Sequence, residues 1–163
     1  MKAFSSLTVP LEGMHLVEAS AGTGKTHAIT TLVLRLLLSG LRIEQIVVLT
    51  FTDAATEELK ARIRRRLQQA LDVFSGAESS DAELTALHQG SGGELARDRA
   101  RLLLALRNVD QAAVFTINGF CQRVLQEHAF DSGVRFDAEL KSDLSELRQQ
   151  VMAEFWVKVA ETG

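Results

Sequence analysis

Short apolar runs alternate with longer stretches in which apolar residues recur at helical spacing. The short runs predict buried strands, and they cover residues 15–19, 45–50 and 112–116. A helical pattern follows each run, over residues 25–38, 54–74 and 120–129, and a further helix is predicted for 94–107. Strands that alternate with helices are typical of a parallel sheet with right-handed crossovers. The pattern therefore predicts an α/β fold with a parallel sheet flanked by helices.

The helical patterns differ in how much of each helix is apolar. The stretch 25–38 is apolar almost all round, which predicts a buried helix. The stretch 54–74 has one apolar face, formed by Leu59, Ile63, Leu67, Leu71 and Phe74. In the stretch 120–129 the residues in helical register are Phe120, Val124, Leu125 and Ala129. These faces predict helices that cover the sheet.

Two segments depart from this alternation. Residues 75–93 are rich in glycine and serine, which predicts a surface loop with at most one helical turn at 84–87. Residues 143–159 are helical in pattern, with an apolar face and no strand after it. Because that face needs a partner, we expect the chain to be the first part of a longer protein.

Composition and charge narrow the class of protein. The 163 residues are 46% hydrophobic and 24% charged, as in a soluble globular domain with its own core. A formal net charge of −3 excludes binding of nucleic acid through bulk charge, so any such contact needs a local basic cluster. No signal peptide or membrane span is visible, and a single cysteine suits a reducing cytoplasm. We expect that cysteine, Cys121, to be a buried and unreactive thiol.

A glycine-rich motif lies between the first predicted strand and the first predicted helix. It closely matches the phosphate-binding pattern Gly-x4-Gly-Lys-Ser/Thr, with Ala19 at the first position. Glycines allow a tight turn whose amides meet one anion at a helix start. The predicted ATP-binding residues are Ala19, Ser20, Ala21, Gly22, Thr23, Gly24, Lys25 and Thr26. Lys25 is the candidate catalytic contact to the β- and γ-phosphates, and Thr26 is the candidate Mg²⁺ ligand.

The carboxylate that hydrolysis needs is missing from the sequence pattern. Phosphate-loop enzymes use an acidic residue after a later strand to hold Mg²⁺ and orient water, and this chain contains no Asp-Glu pair. Asp53 follows the second predicted strand, but it also precedes a helix, where Asp is a favourable cap. We therefore interpret Asp53 as a helix cap. No arginine finger and no adenine-binding residue is assigned.

Three blocks of residues form a set in this chain. The first block is residues 17–26, which include the glycine-rich motif. The second is residues 48–59 with Arg62 and Ile63, and the third is residues 113–123, which end in Gly-Phe-Cys-Gln-Arg. In sequence, order and spacing the blocks resemble the UvrD-type superfamily 1 DNA helicases, the first block being similar to motif I and the second to motif Ia. The ending of the third block resembles the RecB-like beta subunits of exodeoxyribonuclease V within that superfamily, and the resemblance spans nearly the whole chain.

The resemblance implies a DNA-binding edge next to the ATP site. Its implied DNA contacts are Thr50, Phe51, Thr52, Arg62, Thr116 and Asn118. Phe51 would stack on a base or else pack in the core, two alternatives that the sequence leaves open. Asn118 stands where the family usually has histidine, and this difference weakens the prediction that Asn118 contacts DNA. The Asn118-Gly119 pair also allows a hairpin, although helical spacing favours a strand that leads into a helix.

The helix after the second strand carries a basic run made up of Lys60, Arg62, Arg64, Arg65 and Arg66. This run would be an electrostatic track for DNA or a solvated face neutralised by acidic neighbours one turn earlier. Both interpretations remain open from sequence.

The resemblance also implies an architecture and a set of partners. Residues 1–129 would form the first part of a RecA-like ATP-binding domain, and residues 130–163 would begin an inserted helical subdomain. The parent protein would be an ATP- and Mg²⁺-dependent helicase and exonuclease acting on double-strand DNA ends in recombinational repair, with RecC-like and RecD-like subunits. The isolated chain is expected to bind ATP without turnover.

Three alternatives to this assignment remain. One is a UvrD-like or AddA-like helicase. Another is a small P-loop kinase, whose lid would need arginines such as Arg97, Arg99 and Arg101. The last is a nucleotide-binding module without catalytic activity.

Overall fold

The computed structural model describes residues 4–20, 22–128 and 143–162. The chain divides into two compact units, Met1–Cys121 and Gln122–Gly163, which are considered separately. The helices and strands are α1 Lys25–Leu38, β1 Val47–Thr50, α2 Asp53–Phe74, α3 Ala82–Gly90, α4 Leu95–Arg107, β2 Ala113–Thr116, α5 Ile117–Glu127 and α6 Ser145–Thr162. Short 3₁₀ turns precede β1, α4 and β2.

The two strands form a parallel sheet in simple register. Val47 pairs with Ala113 and Thr50 pairs with Thr116, so both strands end at the same level. Parallel strands need a long crossover between them, and here α2, α3 and α4 supply it. The α/β class is therefore confirmed, as are the second and third predicted strands to within a few residues.

The strand predicted at residues 15–19 is not formed, so that prediction is wrong for the described structure. Residues 14–20 have neither strand nor helix conformation, and Met14 and Leu16 are 99% and 88% exposed. An apolar run favours burial, but a strand also needs a neighbouring strand that pairs with its amides and carbonyls. The described sheet consists of β1 and β2, and this segment pairs with neither of them.

A helical core holds the first unit together. Leu34 of α1, Leu67 of α2 and Leu102 of α4 are at most 1% exposed, and α1, α2 and α4 contact one another. The predicted apolar face of α2 is confirmed, since Leu59, Ile63, Leu67 and Phe74 are all buried. Helix α1 is also covered as predicted, because residues 29–38 are all buried or half-buried.

The start of α2 corrects one sequence assignment. Its N-cap is Thr52, whose Oγ1 accepts a hydrogen bond from the Ala55 amide at 3.2 Å. Asp53 is the first residue of the helix rather than its cap. A threonine hydroxyl satisfies the same unpaired amides, and an acidic residue in the first turn still suits the positive end of the helix.

The glycine-rich segment is more ordered than predicted. Residues 82–90 form the helix α3, in place of a single turn. Asp81 caps it by accepting hydrogen bonds from the amides of Glu83 and Leu84 at 3.0 and 3.1 Å, and Leu84 is 1% exposed. A capped helix with one buried leucine was hidden by the surrounding glycines and serines.

Strand β2 leads directly into helix α5, which confirms that prediction over the hairpin alternative. Ala129 and the predicted boundary at 129–130 lie outside the described residues, so the boundary stays a prediction. In the second unit α6 exposes apolar side chains, Phe155 and Trp156 among them. Within the described part of the chain, every helix is too short or too polar to cross a bilayer.

Candidate nucleotide-binding site

The glycines of the phosphate-binding motif make the turn that the motif requires. Gly22 and Gly24 have φ of 78° and 84°, a region that residues with a side chain rarely adopt. A Cβ at either position would meet no atom within 4 Å, so backbone conformation alone selects glycine there. The Thr23 hydroxyl donates to the Ser20 carbonyl at 2.8 Å and closes the turn. Ala21 lies outside the described residues.

The first turn of α1 is left open to an anion. Gly24 is the N-cap of α1 and has no side chain to accept hydrogen bonds from the first amides. The first turn carries no acidic residue, in contrast to Asp53 in α2 and Glu83 in α3. The positive end of the helix dipole therefore lacks a negative partner from its own helix.

Lys25 lies over the loop rather than pointing into solvent. Its Nζ donates to the carbonyls of Ser20 and Ala19 at 2.5 and 3.2 Å. The ammonium group is thus held beside the exposed turn of Gly22 to Gly24. The motif predicts a lysine beside this turn, and the contact of Lys25 with a phosphate group stays a prediction.

Thr26 is the predicted Mg²⁺ ligand. It is half-buried in the first turn of α1. Among the described residues no cluster of three or more His, Cys, Asp or Glu side chains could hold a metal ion. The hydroxyl fits the role of a single Mg²⁺ ligand beside phosphate oxygens.

Sequence reasoning missed a partly buried polar cluster that joins α1, α2 and α3. We call it the Glu83 cluster, and its members are Ser6, His27, Thr31, Arg66, Asp81 and Glu83. Its only sequence signal was the pair of acidic residues at the start of α3, inside a segment whose composition predicted a loop. The distant arginine that binds them, on α2, was taken for part of a basic surface.

Burial and charge define the Glu83 cluster. Arg66 is only 5% exposed and donates to both Asp81 and Glu83. The hydrogen bond from Arg66 lowers the pKa of Asp81. Desolvation acts to raise the pKa of Glu83, but hydrogen bonds from Ser6 and Thr31 and the charges of His27 and Arg66 outweigh it, so this pKa is lowered too. Both carboxylates are therefore ionised near neutral pH.

The basic run on α2 resolves into separate environments. Arg66 belongs to the Glu83 cluster, so it is not part of any exposed DNA track. Lys60 and Arg62 pair with Glu57 and Glu58 at 2.9 and 2.5 Å, and Arg64 pairs with Asp110. These exposed pairs are weak and exchange readily for other partners. The neutralised-face interpretation therefore describes most of the run, and Arg62 stays a predicted DNA contact.

The carboxyl end of β1 presents one large side chain. Phe51 is 89% exposed, so the alternative of core packing for this residue is wrong. The hydroxyls of the two neighbouring threonines, Thr50 and Thr52, make hydrogen bonds within the turn between β1 and α2. Thr50 Oγ1 lies 2.5 Å from Thr56 Oγ1, and Thr52 Oγ1 caps α2. The two threonines therefore position the exposed ring.

The end of β2 repeats part of this design. Thr116 Oγ1 accepts a hydrogen bond from the Gly119 amide at 3.1 Å at the start of α5, and Asn118 is exposed. Because Thr50 and Thr116 are paired in the sheet, the predicted contacts of both blocks lie along one edge. Arg62 lies further along α2.

Two further residue assignments are decided by the structure. Cys121 is exposed on α5, so its predicted burial is wrong, because α5 buries none of its residues among those described. Two of the three arginines of the kinase alternative are engaged locally: Arg97 pairs with Glu94, and Arg101 pairs with Asp98 and donates to the Leu38 carbonyl at 2.5 Å. A lid arginine would instead need to be exposed beside the phosphate site.

Comparison with known proteins decides the family. The model of the UvrD/REP helicase N-terminal domain matches residues 2–161. The chain belongs to the UvrD/REP helicase family. That match confirms the superfamily indicated by the three sequence blocks, and it covers the glycine turn, the edge at β1 and β2 and the Glu83 cluster.

Relatives within the UvrD/REP helicase family are RecB subunits. The chain is 45% identical over 159 residues to the RecBCD enzyme subunit RecB of Escherichia coli (strain K12), which covers 92% of the chain and 13% of that protein. It is 43% identical to the same subunit of Haemophilus influenzae, with 92% and 14% covered. For Mycobacterium tuberculosis the identity is 37%, with 88% and 13% covered. The chain thus spans about an eighth of the length of these relatives.

Proposed function

We propose that the chain binds ATP and Mg²⁺ through the turn at residues 19–26. The observation that carries this proposal is the open first turn of α1, with Lys25 Nζ held over it by Ala19 and Ser20. Amides at a helix start favour a phosphate, and a lysine beside them adds a charge-assisted hydrogen bond. ATP supplies the phosphoryl group whose transfer to water drives motor proteins of this kind.

Each residue has one task in this proposal. Gly22 and Gly24 turn the backbone so that its amides converge, and Lys25 exchanges its carbonyl partners for β- and γ-phosphate oxygens. Thr26 contributes its hydroxyl to Mg²⁺. Since the described residues offer no carboxylate cluster to complete the metal shell, we propose that the isolated chain binds ATP without helicase-like turnover.

We further propose that the edge at the ends of β1 and β2 contacts single-stranded DNA. Exposed Phe51 offers a face for base stacking, and the amides at the start of α2 and α5 suit phosphate oxygens. Thr50, Thr52 and Thr116 hold this edge, while Asn118 and Arg62 add polar contacts near it. The simple register of the two strands supports a single contact surface.

At the level of the whole protein, we propose the first part of a motor subunit. Residues 1–129 would begin its RecA-like domain and residues 130–163 an inserted helical subdomain. By analogy with the RecB relatives, the parent would unwind and degrade double-strand DNA ends in the cytoplasm, together with RecC-like and RecD-like subunits. An AddA-like or UvrD-like parent is the alternative.

Nucleotide binding is tested with a fluorescent ATP analogue and Mg²⁺. Lys25→Ala should weaken binding about 10- to 100-fold, the effect of losing one charge-assisted hydrogen bond. Lys60→Ala is the matched control, because Lys60 pairs only with Glu57 on the surface of α2. Equal affinity of the Lys25→Ala variant and the wild type would refute the proposed phosphate site.

DNA binding is tested by fluorescence anisotropy with labelled single strands at several salt concentrations. Phe51→Ala should lower affinity about 5- to 100-fold, as expected for loss of one stacked base. Leu16→Ala removes another exposed apolar side chain and serves as the control. If both variants bind as the wild type does, the proposed DNA edge is wrong.

A further inference from the structure

We propose that Glu83 is a positioning residue for the nucleotide site: it holds the first turns of α1 through His27 and Thr31. This inference rests on the proposed ATP binding. It assigns a task to a segment, residues 75–93, that neither the sequence motifs nor the glycine turn involves.

The carboxylate of Glu83 contacts several side chains rather than a single partner. Its Oε1 accepts from Ser6 Oγ at 2.5 Å, and its Oε2 accepts from Thr31 Oγ1 at 2.5 Å. The same Oε2 lies 2.9 Å from His27 Nε2 and 3.1 Å from Arg66 Nη2. One carboxylate thereby joins the N-terminal segment, α1, α2 and α3.

The two contacts to α1 are placed where they matter for phosphate binding. His27 directly follows Thr26, so it belongs to the turn whose amides and hydroxyl would meet ATP and Mg²⁺. Thr31 lies one turn later and is fully buried. Holding both residues fixes the direction of the helix start as well as its distance from α3. Gly24 leaves that start without a side-chain cap, so these two contacts add to the restraint given by the Thr23 and Lys25 hydrogen bonds in the loop.

The charges of the Glu83 cluster suit this task. A carboxylate close to a phosphate site would repel the ligand if it stood alone. Here Arg66 donates to both Asp81 and Glu83, and the imidazole Nε2 of His27 lies 2.9 Å from Glu83 Oε2. Glu83 can therefore position α1 while its own charge is compensated.

The anchor of Glu83 is itself rigid. Asp81 caps α3 through the amides of Glu83 and Leu84, and the same carboxylate binds Arg66. Leu84, the next residue, is buried in the hydrophobic core. Packing of the adjacent Leu84 and the salt bridge to Arg66 therefore fix Glu83, as is required of a positioning residue.

The test compares nucleotide affinity with thermal stability in the 163-residue chain, using N-methylanthraniloyl-ATP with Mg²⁺. Glu83→Gln and His27→Ala should each weaken binding about 2- to 10-fold, the effect of losing one hydrogen bond that orients the helix start. His27→Gln should restore most of the affinity, because its amide still donates to Glu83. The double variant should lose less than the product of the two single effects, since both break the same contact.

Two controls separate positioning from folding. Leu102→Ala lowers stability in the core on α4, away from the Glu83 cluster, and should leave affinity unchanged at temperatures where the variant is folded. Glu78→Gln removes an exposed charge from the same segment and should change neither quantity.

The inference is overturned if Glu83→Gln and His27→Ala bind as the wild type does, or if their affinity loss matches that of Leu102→Ala at equal stability. A wild-type chain that binds no nucleotide would instead refute the proposed function and, with it, this inference. A loss of binding in Lys25→Ala together with wild-type binding in the Glu83 and His27 variants would keep the proposed function and reject only the positioning role.

Discussion

The helical core of the first unit and the glycine-rich segment at residues 14–26 differ in which of their groups are buried and which are exposed. In the core, Leu34, Leu67 and Leu102 are at most 1% exposed and are packed by three helices. In the segment from residue 14 to residue 26, Met14 and Leu16 are almost fully exposed, and two glycines hold a left-handed turn. One region is defined by what it buries and the other by the backbone amides that it leaves open.

This difference separates stability from ligand binding. The buried area of α1, α2 and α4 should carry most of the free energy of unfolding, because burial contributes roughly 25 cal/mol per Å² of apolar surface. The loop contributes little to that free energy, and under the proposed function its conformation would determine whether a phosphate is bound. Helix α1 belongs to both regions, since its first turn ends the loop and its later residues enter the core.

The largest expected effect is in the core. Leu67→Ala should lower the free energy of unfolding by about 2–5 kcal/mol, because it leaves a cavity at a fully buried site. The matched change in the loop segment, Leu16→Ala, should stay within about 0.5 kcal/mol. Urea denaturation followed by circular dichroism measures both. Similar losses from the two variants would mean that residues 14–20 are packed in solution.

The next effect is at the junction of the two regions. Arg66→Met should cost about 2–4 kcal/mol, because it removes the buried arginine that pairs with both Asp81 and Glu83. Arg65→Met is the control, since Arg65 is an exposed neighbour on the same helix. A neutral or stabilising Arg66→Met would show that apolar packing replaces the ion pairs at no cost.

A smaller effect is expected in the turn itself. Gly24→Ala forces a side chain into φ of 84° and should cost about 1–2 kcal/mol, and it should also weaken nucleotide binding. Gly93→Ala is the control, because Gly93 has no positive φ and no atom near its Cβ position. Thermal melting with and without ATP measures both effects. A Gly24→Ala variant with unchanged melting and binding would show that the turn tolerates other conformations.

The smallest effect is the contribution of the Glu83 cluster to acid stability. The pKa values of Asp81 and Glu83 are lowered in the folded chain, so the stability that they supply is complete above their unfolded pKa values, near 4. It is lost as the pH falls from there through the folded values. Asp81→Asn should flatten the fall in stability below about pH 4.5. Parallel acid titrations of wild type and variant would contradict this assignment.

The sequence predicted α1, α2 and α4 well because each has apolar residues at helical spacing, whereas α3 was predicted as at most one turn. The α2 face from Leu59 to Phe74 is the clearest example, and α1 was predicted with its observed bounds. The glycine turn and Lys25 were also foreseeable, because a phosphate loop is a local pattern in which spacing and backbone conformation determine each other.

The sequence predictions that were wrong concern features that depend on contacts between distant parts of the chain. The run at 15–19 is apolar enough for a strand, but pairing requires a neighbour that its own residues do not specify. In the sequence, Arg66 is indistinguishable from the neighbouring surface arginines. Only the fold brings Asp81 and Glu83 beside it. Cys121 lies on a helix whose described residues are not buried, and no local pattern predicts that.

The level ends of β1 and β2 have a consequence for how the chain tolerates length variation. Thr50 and Thr116 are paired without offset, so the edge they form depends on the register of the two strands and not on the number of residues between them. Insertions among residues 76–80, all exposed and outside any helix, would lengthen the crossover without moving either strand. A one-residue insertion within β1 would instead turn its side chains to the opposite face of the sheet.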